Sequence, residues 1–511
     1  MPLTGEDSRL VHAAQDIVLI LLSFVFLPLD ACILFWSYVA CVVLPFEPVL
    51  NRARSISNPS FNPRTILVTG VGMTKGLTLA RLFHAAGHTV IGADFEPAFL
   101  PLTSGHFSRS LKTFHRLAKP DGSREKSAQY TQSLVDIIRK ERVDLWVSCS
   151  GVASAVEDGQ AKEVVELITD SKAIQYDVPT TKKLHEKHSF MEYTSSLGLP
   201  TPDSHTVTSR AAVLRLLEDA QGTGRKYIMK FIGTDDTVRG DMTLLPFSTH
   251  AQTKAHVSRL QISEERPWIL QQFIDGPEYC THALVVRGEV KVFVACPSAE
   301  LLMHYESLPV DSALSRNMLR FTQEFAAAGG PSFTGHLSFD FLVDAAEAKA
   351  AEMNPNKSVK LYPIECNPRA HTAVALFNDT YGMADAYLSL LEPPTSKVKT
   401  NGVNGATPEQ PIFPRKQTKY YWIGHDLVTR VILPFLSLFV RDGSSFSEVY
   451  DDFTTFVEHF LFWKDGTYEV WDPLPAFWLY HVYWPSQFFF ALVFGRKWSR
   501  VNVSTTKMFG C

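Results

Sequence analysis

The chain has 511 residues, 45% of them hydrophobic and 20% charged, a globular composition with room for about three domains at ~150 residues each. Forty-nine basic residues against 53 acidic ones leave a net charge of −4, which gives no footing for nucleic-acid binding. Its seven cysteines form no Cys-x-x-Cys pair, which argues against a zinc ribbon or a disulfide framework and for a reduced, cytosol-facing catalytic part.

The first element is apolar. Ile17 to Leu29 carries almost no polar side chain, Pro28 and Asp30 interrupt, and Ala31 to Phe46 is apolar again. A bilayer crossing needs about 20 residues, so the stretch reads as a membrane segment, either one kinked helix or two short helices forming a hairpin. A buried hydrophobic helix pair is the alternative. The length of the run, and Glu6, Asp7 and Asp16 against Arg9 alone, argue against a cleaved signal peptide. Arg52, Arg54 and Arg64 follow, which predicts a catalytic part on the cytosolic side. Residues 1–63 are therefore expected to be a membrane anchor and linker.

An α/β unit is expected over 64–180. Thr65–Thr69 is a short apolar run, Gly70-Val71-Gly72-Met73-Thr74-Lys75-Gly76 a glycine turn, Leu77–Ala86 an amphipathic helix, and His88–Ala93 a second strand ending at Asp94. This is a Rossmann-like beginning. Its Gly-x-Gly-x-x-x-Gly spacing makes a structural or substrate-facing turn the better reading, with an NAD(P)-dependent oxidoreductase as the alternative. Tyr130–Glu141 and Glu163–Thr169 read as helices, and Val143–Ser148 as a strand. Thr180–Leu197 reads as a helix rich in Lys and His, ended by Gly198-Leu199-Pro200.

Strands are expected at Tyr227–Phe231, Trp268–Ile274, Glu278–Val286 and Val290–Cys296, the last two a hairpin around Arg287-Gly288-Glu289. The apolar runs Leu337–Val343 and Lys360–Ile364 read as two antiparallel strands. They would set Asp340, Glu365 and Asn367 side by side. Residues i and i+2 of a strand share a face, so Glu365 and Asn367 reach one point while Cys366 turns away. Two carboxylates and an amide oxygen are hard ligands suited to Mg²⁺. Arg369 can meet a phosphate bidentately. The 393–418 stretch, rich in Pro, Gly, Asn, Thr and Lys, reads as a flexible linker. The 419–511 tail is dense in Trp, Phe and Tyr over Asp472–Lys497, which suits a membrane interface or a packed helical tail equally.

Asp340 followed by Glu365-Cys366-Asn367-Pro368-Arg369 resembles the metal-binding strands of ATP-grasp ligases. Within them the chain is similar to the mycosporine-glycine synthetase branch from about residue 64 onward, through Arg64–Thr74, Leu79–Val90, Ile228–Pro246, Pro267–His282, Gly335–Phe341, Glu365–Thr372 and Trp471-Asp472-Pro473-Leu474-Pro475. The hydrophobic N-terminus and the linker near residue 400 depart from that pattern. The resemblance implies an ATP-grasp fold: an α/β (α+β) chain with a Rossmann-like pre-ATP-grasp domain at 64–180 and a nucleotide-binding and catalytic domain at 181–392. It implies ATP and Mg²⁺ (or Mn²⁺) held by Asp340, Glu365 and Asn367. Lys230 and Lys187 would contact the nucleotide, Gln271 and Ile274 would meet adenine, and Glu278 would reach the ribose or a phosphate-binding Lys. Arg239 sits in a loop that would close over the triphosphate. Arg369 would stabilise the transferring phosphoryl group, and His371 and Thr372 would lie near the acceptor, with His282 and His304 as further acceptor candidates.

The implied activity is carbon–nitrogen ligation in secondary metabolism. A small acid or a cyclohexenone such as 4-deoxygadusol would be phosphorylated by ATP and then coupled to an amino acid amine, with release of ADP and phosphate. An ATP-grasp ligase with an unrelated acceptor is the nearest alternative. The expected partners are the acceptor, the amino acid, a membrane and other pathway enzymes.

Overall fold

The computed structural model describes residues 4–97, 100–149, 151, 154–220, 224–231, 243–298, 303–393, 410–439 and 444–511. The chain starts with one continuous 35-residue helix, α1 (Arg9–Val43), whose first turn is capped by the Ser8 hydroxyl. Pro28 lies inside it without ending it, so of the two expected forms it is the single helix and not the hairpin. A short helix α2 (Glu47–Ser57), with Pro48 in its first turn, leads into the body.

Five short strands then pair into one parallel sheet: β1 (Thr65–Thr69), β2 (Thr89–Phe95), β3 (Thr113–Leu117), β4 (Leu145–Val147) and β5 (Lys172–Ile174), in the order β3-β2-β1-β4-β5. Both faces are covered, as parallel strands require. Ile66 and Val68 face one core, while Leu67, Ile91 and Trp146 face another. Helices α3 (Thr74–Ala85), α4 (Arg124–Glu141) and α5 (Ala155–Ile168) supply the crossovers. The last two start well before the positions expected for them.

The expected helix Thr180–Leu197 is two helices, α6 (Val178–His185) and α7 (Lys187–Ser196). Glu186 between them is extended at φ −80° and ψ 117°. This break, which no Gly or Pro announces, turns the first residue of α7 toward the next sheets. β6 (Ser204–Val207), β7 (Lys226–Phe231) and β8 (Trp268–Phe273) form an antiparallel sheet with β8 in the middle, closed by α8 (Arg210–Ala220) and the helix His250–Arg259 around Leu217, Leu245, Val257 and Leu270.

β9 (Glu278–Val286) and β10 (Glu289–Pro297) form the expected hairpin, turning at Arg287 and Gly288, both with positive φ. The short β11 (His304–Tyr305) follows. β12 (Gly335–Leu342) and β13 (Tyr362–Asn367) complete a four-stranded sheet in the order β10-β9-β12-β13. Strand alternation sorts its two faces. Tyr279, Ala283, Phe339, Phe341 and Cys366 pack on the helix Ala313–Ala328. By the same alternation Cys280, His282, His336, Ser338, Asp340, Glu365 and Asn367 share the opposite face, where Cys280 joins the core of the first sheet.

The stretch expected to be a linker divides. Residues 394–409 lie outside the described ones. Further on, Ile412 exchanges backbone hydrogen bonds with Lys291 and Phe293 of β10, and Phe413 packs on the core, so 410–418 is docked and not a free tether. The tail adds β14 (Tyr420–Tyr421) and β15 (Lys464–Asp465) to β11, and ends in the hairpin β16 (Trp498–Asn502) and β17 (Lys507–Gly510). Asp472 of the tail is fully buried. It holds Arg81 of α3 at 2.9 Å, accepts from the Ser108 hydroxyl at 2.6 Å and takes the Arg109 backbone N–H at 2.8 Å.

Candidate active site

One continuous line of polar side chains runs between the two antiparallel sheets and the glycine turn of the first. At one end β7, β8, the turn Ile274-Asp275-Gly276, β12 and β13 enclose a cavity of about 320 Å³ lined by Ile228, Lys230, Gln271, Ile274, Glu278 and Leu342 among others. Its walls are largely apolar and its polar groups few, which is the usual make-up of a small-molecule site. Gly276 is needed at this turn, because a Cβ there would run into the backbone of 343–345. Lys230 reaches in from the middle of β7 and donates to Gln271 Oε1 at 2.6 Å. Burial first, and then the Lys187 charge, lower its pKa, while Glu365 raises it.

The break at Glu186 places Lys187 over β13, where its Nζ meets Glu365 Oε2 at 3.1 Å. Glu365 is the direct cross-strand partner of Asp340, and Asn367 is paired with Ser338 two residues back. Asn367 Nδ2 donates to Asp340 Oδ2 at 3.1 Å, and Arg369 Nη2 donates to Asn367 Oδ1 at 2.8 Å. Asp340, Glu365, Asn367 and Arg369 are thus brought together as expected. Burial drives the pKa of Asp340 up to about 7, helped by the neighbouring charges of Glu365 and Glu278. Two carboxylates at directly paired strand positions, one of them with its pKa pushed up, are a site that a divalent cation would relieve. The donor set, two carboxylates and an amide, fits Mg²⁺. Glu278, at the start of β9, stands opposite Leu342 of β12 and accepts from the Ser298 hydroxyl at 2.8 Å.

Beyond Arg369 the line enters the interior. Lys75, in the first turn of α3, is fully buried and donates to the Ala370 carbonyl at 3.1 Å. Burial and the Arg369 charge lower its pKa to about 7. His282, His336 and His371 surround this point, and burial holds all three below the usual imidazole range, so they are neutral. His336 is bonded to the Tyr387 hydroxyl at 2.8 Å. Three buried atoms of this region, Arg369 Nε, His282 Nε2 and Ser338 Oγ, have no hydrogen-bond partner among the described residues. An unpaired buried donor is costly, so this is where the site has capacity for a polar ligand. Neither Lys75 nor Ser338 is singled out as a site residue by the sequence. Lys75 lies in a glycine turn that reads as structural, and Ser338 becomes notable only through its pairing with Asn367.

Other expected residues fall differently. His371 caps the turn Thr372–Phe377, accepting the Ala373 N–H on Nδ1 at 3.3 Å, and its own N–H goes to His282 Nδ1 at 3.3 Å. Thr372 Oγ1 lies 3.3 Å from the Ser504 hydroxyl. Both lie beside Lys75 and His282, held by structural hydrogen bonds. His304 is not at this site. It turns to the tail, where its Nε2 is 2.8 Å from Asp426, a residue also held by His459 at 2.6 Å. Arg239 lies outside the described residues.

The glycine turn does not form a dinucleotide site. Gly72 donates its N–H to Asp94 at 2.7 Å, and Asp94 stands where a Cβ on Gly72 would go. The first turn of α3 is covered: the Thr74 N–H is bonded to the Ser504 carbonyl at 2.9 Å, and Trp422 Nε1 lies 3.2 Å from Thr74 Oγ1. The helix N-terminus that would receive a pyrophosphate is therefore filled by protein.

Comparison with known proteins gives distant likenesses. No protein-family model matches the sequence, and no curated protein does. Among solved structures, the biotin carboxylase subunit of pyruvate carboxylase aligns over 61% of this chain and 65% of its own, with a TM-score of 0.42 and 12% identity. The L-amino acid ligase from Bacillus licheniformis aligns over 60% and 68%, with a TM-score of 0.36 and 14% identity. N5-carboxyaminoimidazole synthetase from Staphylococcus aureus complexed with ADP aligns over 61% and 72%, with a TM-score of 0.40 and 13% identity. The chain thus spans about two thirds of the length of these structures. At such identities and scores the chemistry has to be read from the chain's own residues.

Proposed function

We propose that this protein is an ATP- and Mg²⁺-dependent carbon–nitrogen ligase of the ATP-grasp kind. The observation that supports it most is the order of neighbouring groups: a cavity with Lys230, then Asp340, Glu365 and Asn367, then Arg369, then a buried cluster of cationic and neutral nitrogens. Adenine would sit in the cavity against Gln271 and Ile274. Lys230 and Lys187 would meet the phosphates, and the acidic residues would hold the metal. Bound Mg²⁺ would neutralise the charge that develops as the γ-phosphoryl group leaves ADP. Arg369 orients that group, and its fork geometry suits a phosphoryl oxygen pair. An oxygen of the acceptor takes the phosphoryl group, and an amine then displaces phosphate while giving up a proton. The depth of Lys75, His282 and His336 keeps water from the activated oxygen.

The acceptor is a small acid or a cyclohexenone, with 4-deoxygadusol and an amino acid as the sharpest pair and a role in secondary metabolism. This finer reading rests on the sequence resemblance. The catalytic part faces the cytosol and works alongside other enzymes of its pathway. The test is ADP and phosphate release from the purified protein with Mg-ATP across a panel of amino acids, each with and without 4-deoxygadusol. Release that needs both glycine and the cyclohexenone is the expected result. Release that needs an amino acid and ignores the cyclohexenone would keep the ligase and discard that acceptor, and a protein that binds no nucleotide would discard the ligase.

A further inference from the structure

We propose that this protein is monotopic: it is seated in one leaflet of a lipid bilayer by the outward face of α1, and no helix crosses the membrane. The helix passes the usual tests of length and apolarity for a span, with a mean hydropathy of 2.7 in its most apolar window. Its polar residues tell a different story. Asp16, Ser23, Asp30 and Ser37 recur every seven residues, which puts them on one stripe of the helix, and each is engaged by the tail. Trp498 Nε1 donates to Asp16 Oδ1 at 2.8 Å. Ser23 donates to the Tyr480 carbonyl at 2.9 Å. His481 Nε2 lies 2.7 Å from Asp30 Oδ2, and the Ser37 and Tyr468 hydroxyls are 2.7 Å apart. Both ends are tied down as well. Lys497 donates to the carbonyls of Gly5 and Asp7, and past the C-terminus Arg52 donates to the carbonyls of His84 and His88.

A helix docked along its whole length cannot thread a bilayer alone. A crossing would carry Tyr468, Tyr480 and Trp498 into hydrocarbon, and with them the neighbouring Arg81–Asp472 ion pair, which is joined to the same tail segment through the Thr467 carbonyl. Charged side chains at bilayer depth are strongly disfavoured.

The face left outward is apolar throughout. Every exposed residue between Ile17 and Pro45 is uncharged, their side chains offer hydrogen bonding only through the Cys32 thiol and the Trp36 indole N–H, and Phe24, Val25 and Trp36 are each more than 60% exposed. At 1.5 Å per residue and about 10 Å across, α1 alone presents roughly 500 Å², near the upper limit of a soluble monomer's largest patch. The tail extends it. The helix Trp484–Phe494 packs alongside α1 and leaves Phe489 and Phe494 exposed. A second protein copy would want hydrogen-bond partners about every 100–200 Å², and this face offers almost none. Exposed Arg9, Arg54 and Arg496 stand at its ends, suited to lipid phosphates.

The test uses the full chain, purified in detergent and mixed with phosphatidylcholine vesicles containing phosphatidylserine. The protein is expected to float with the vesicles. Leu21→Glu, Phe24→Glu and Trp36→Glu together are expected to abolish flotation while nucleotide binding persists. Single cysteines at Glu6→Cys and Ser57→Cys, with Cys32, Cys41 and Cys511 changed to Ser, flank the helix. Both are expected to react with an impermeant maleimide added outside sealed vesicles. Protection of one end until the vesicles are lysed would show a span and overturn the proposal. So would failure of the unmodified chain to float, or its recovery as a dimer that ignores vesicles.

Discussion

Asp340 is where the chemistry is most exposed to a single substitution. Its carboxylate is partly buried, stands against Glu365 and is bonded to Asn367. Asp340→Asn keeps the shape and removes a proposed metal ligand. Loss of even an outer-shell partner costs about 10–100-fold at metal sites, so ADP formation is expected to fall by about 100-fold or more. ADP formation measured against Mg²⁺ concentration checks this, and full activity in the variant would remove Asp340 from the metal site. Lys230→Met should instead weaken nucleotide binding by about 10- to 100-fold, since a charged hydrogen bond contributes about 1.5–3 kcal/mol. Equilibrium ADP binding reads it directly. Lys75 gives a pH signature. Its pKa is about 7 in the folded protein against an ordinary 10.5, so between those values the unfolded chain carries a proton that the folded one does not. Stability therefore rises with pH across that window, by up to about 1.4 kcal/mol per pH unit for this one group. Lys75→Met is expected to flatten the slope of unfolding free energy against pH between 7.5 and 9.5, and an unchanged slope would mean that Lys75 is charged in the fold.

At the scale of elements, Asp472 carries the clearest prediction. It is fully buried and satisfies Arg81, Ser108 and the Arg109 backbone at once. Asp472→Ala leaves Arg81 buried without its partner, and breaking such a pair from one side costs about 3–5 kcal/mol. Urea unfolding of the variant should show that loss, and a change below 1 kcal/mol would mean that water replaces the carboxylate. The strands around the site were legible in the sequence because each is a short apolar run bounded by turn residues: β1, β7, β9 and β10 fall within a residue or two of their expected places. The pairing of Asp340 with Glu365 was legible too, since alternation alone puts Glu365 and Asn367 on one face. The break at Glu186 was not, because no Gly or Pro marks it and it is settled by the packing of α7 on β13. Nor was the position of His304, which depends on Asp426 and His459, more than a hundred residues further along the chain. The seven-residue spacing of Asp16, Ser23, Asp30 and Ser37 was there to be read. Its meaning lay in tail residues that meet α1 only in the folded protein.

Across the whole molecule, one apolar core joins what the sequence suggests are separate domains. Ile66 and Val68 of the first sheet, Leu284 and Val292 of β9 and β10, Val374 and Phe377 of the turn after the site, and Trp422, Phe488 and Trp498 of the tail belong to the same cluster. The proposed acceptor end of the site lies at this junction, since Lys75 of α3 bonds to Ala370 after β13 and Thr74 is bonded to Ser504 of the tail. Domains joined by small polar interfaces unfold separately, whereas a shared buried core couples them. The first sheet, the four-stranded sheet and the tail are therefore expected to unfold in one transition, with the three-stranded sheet, which has its own core around Leu217 and Leu270, as the one part able to open alone. Opening of that sheet would expose Lys230 and Gln271 and leave Lys75 buried. A nucleotide bound as proposed would contact both sheets and should raise the free energy of this local opening by RT ln(1 + [L]/Kd), about 2.7 kcal/mol at 100-fold saturation. Hydrogen exchange in β6, β7 and β8 with and without ADP measures that shift. Protection that rises equally in β1 and β2 would mean that the small sheet does not open independently, and protection that does not change would place the nucleotide elsewhere.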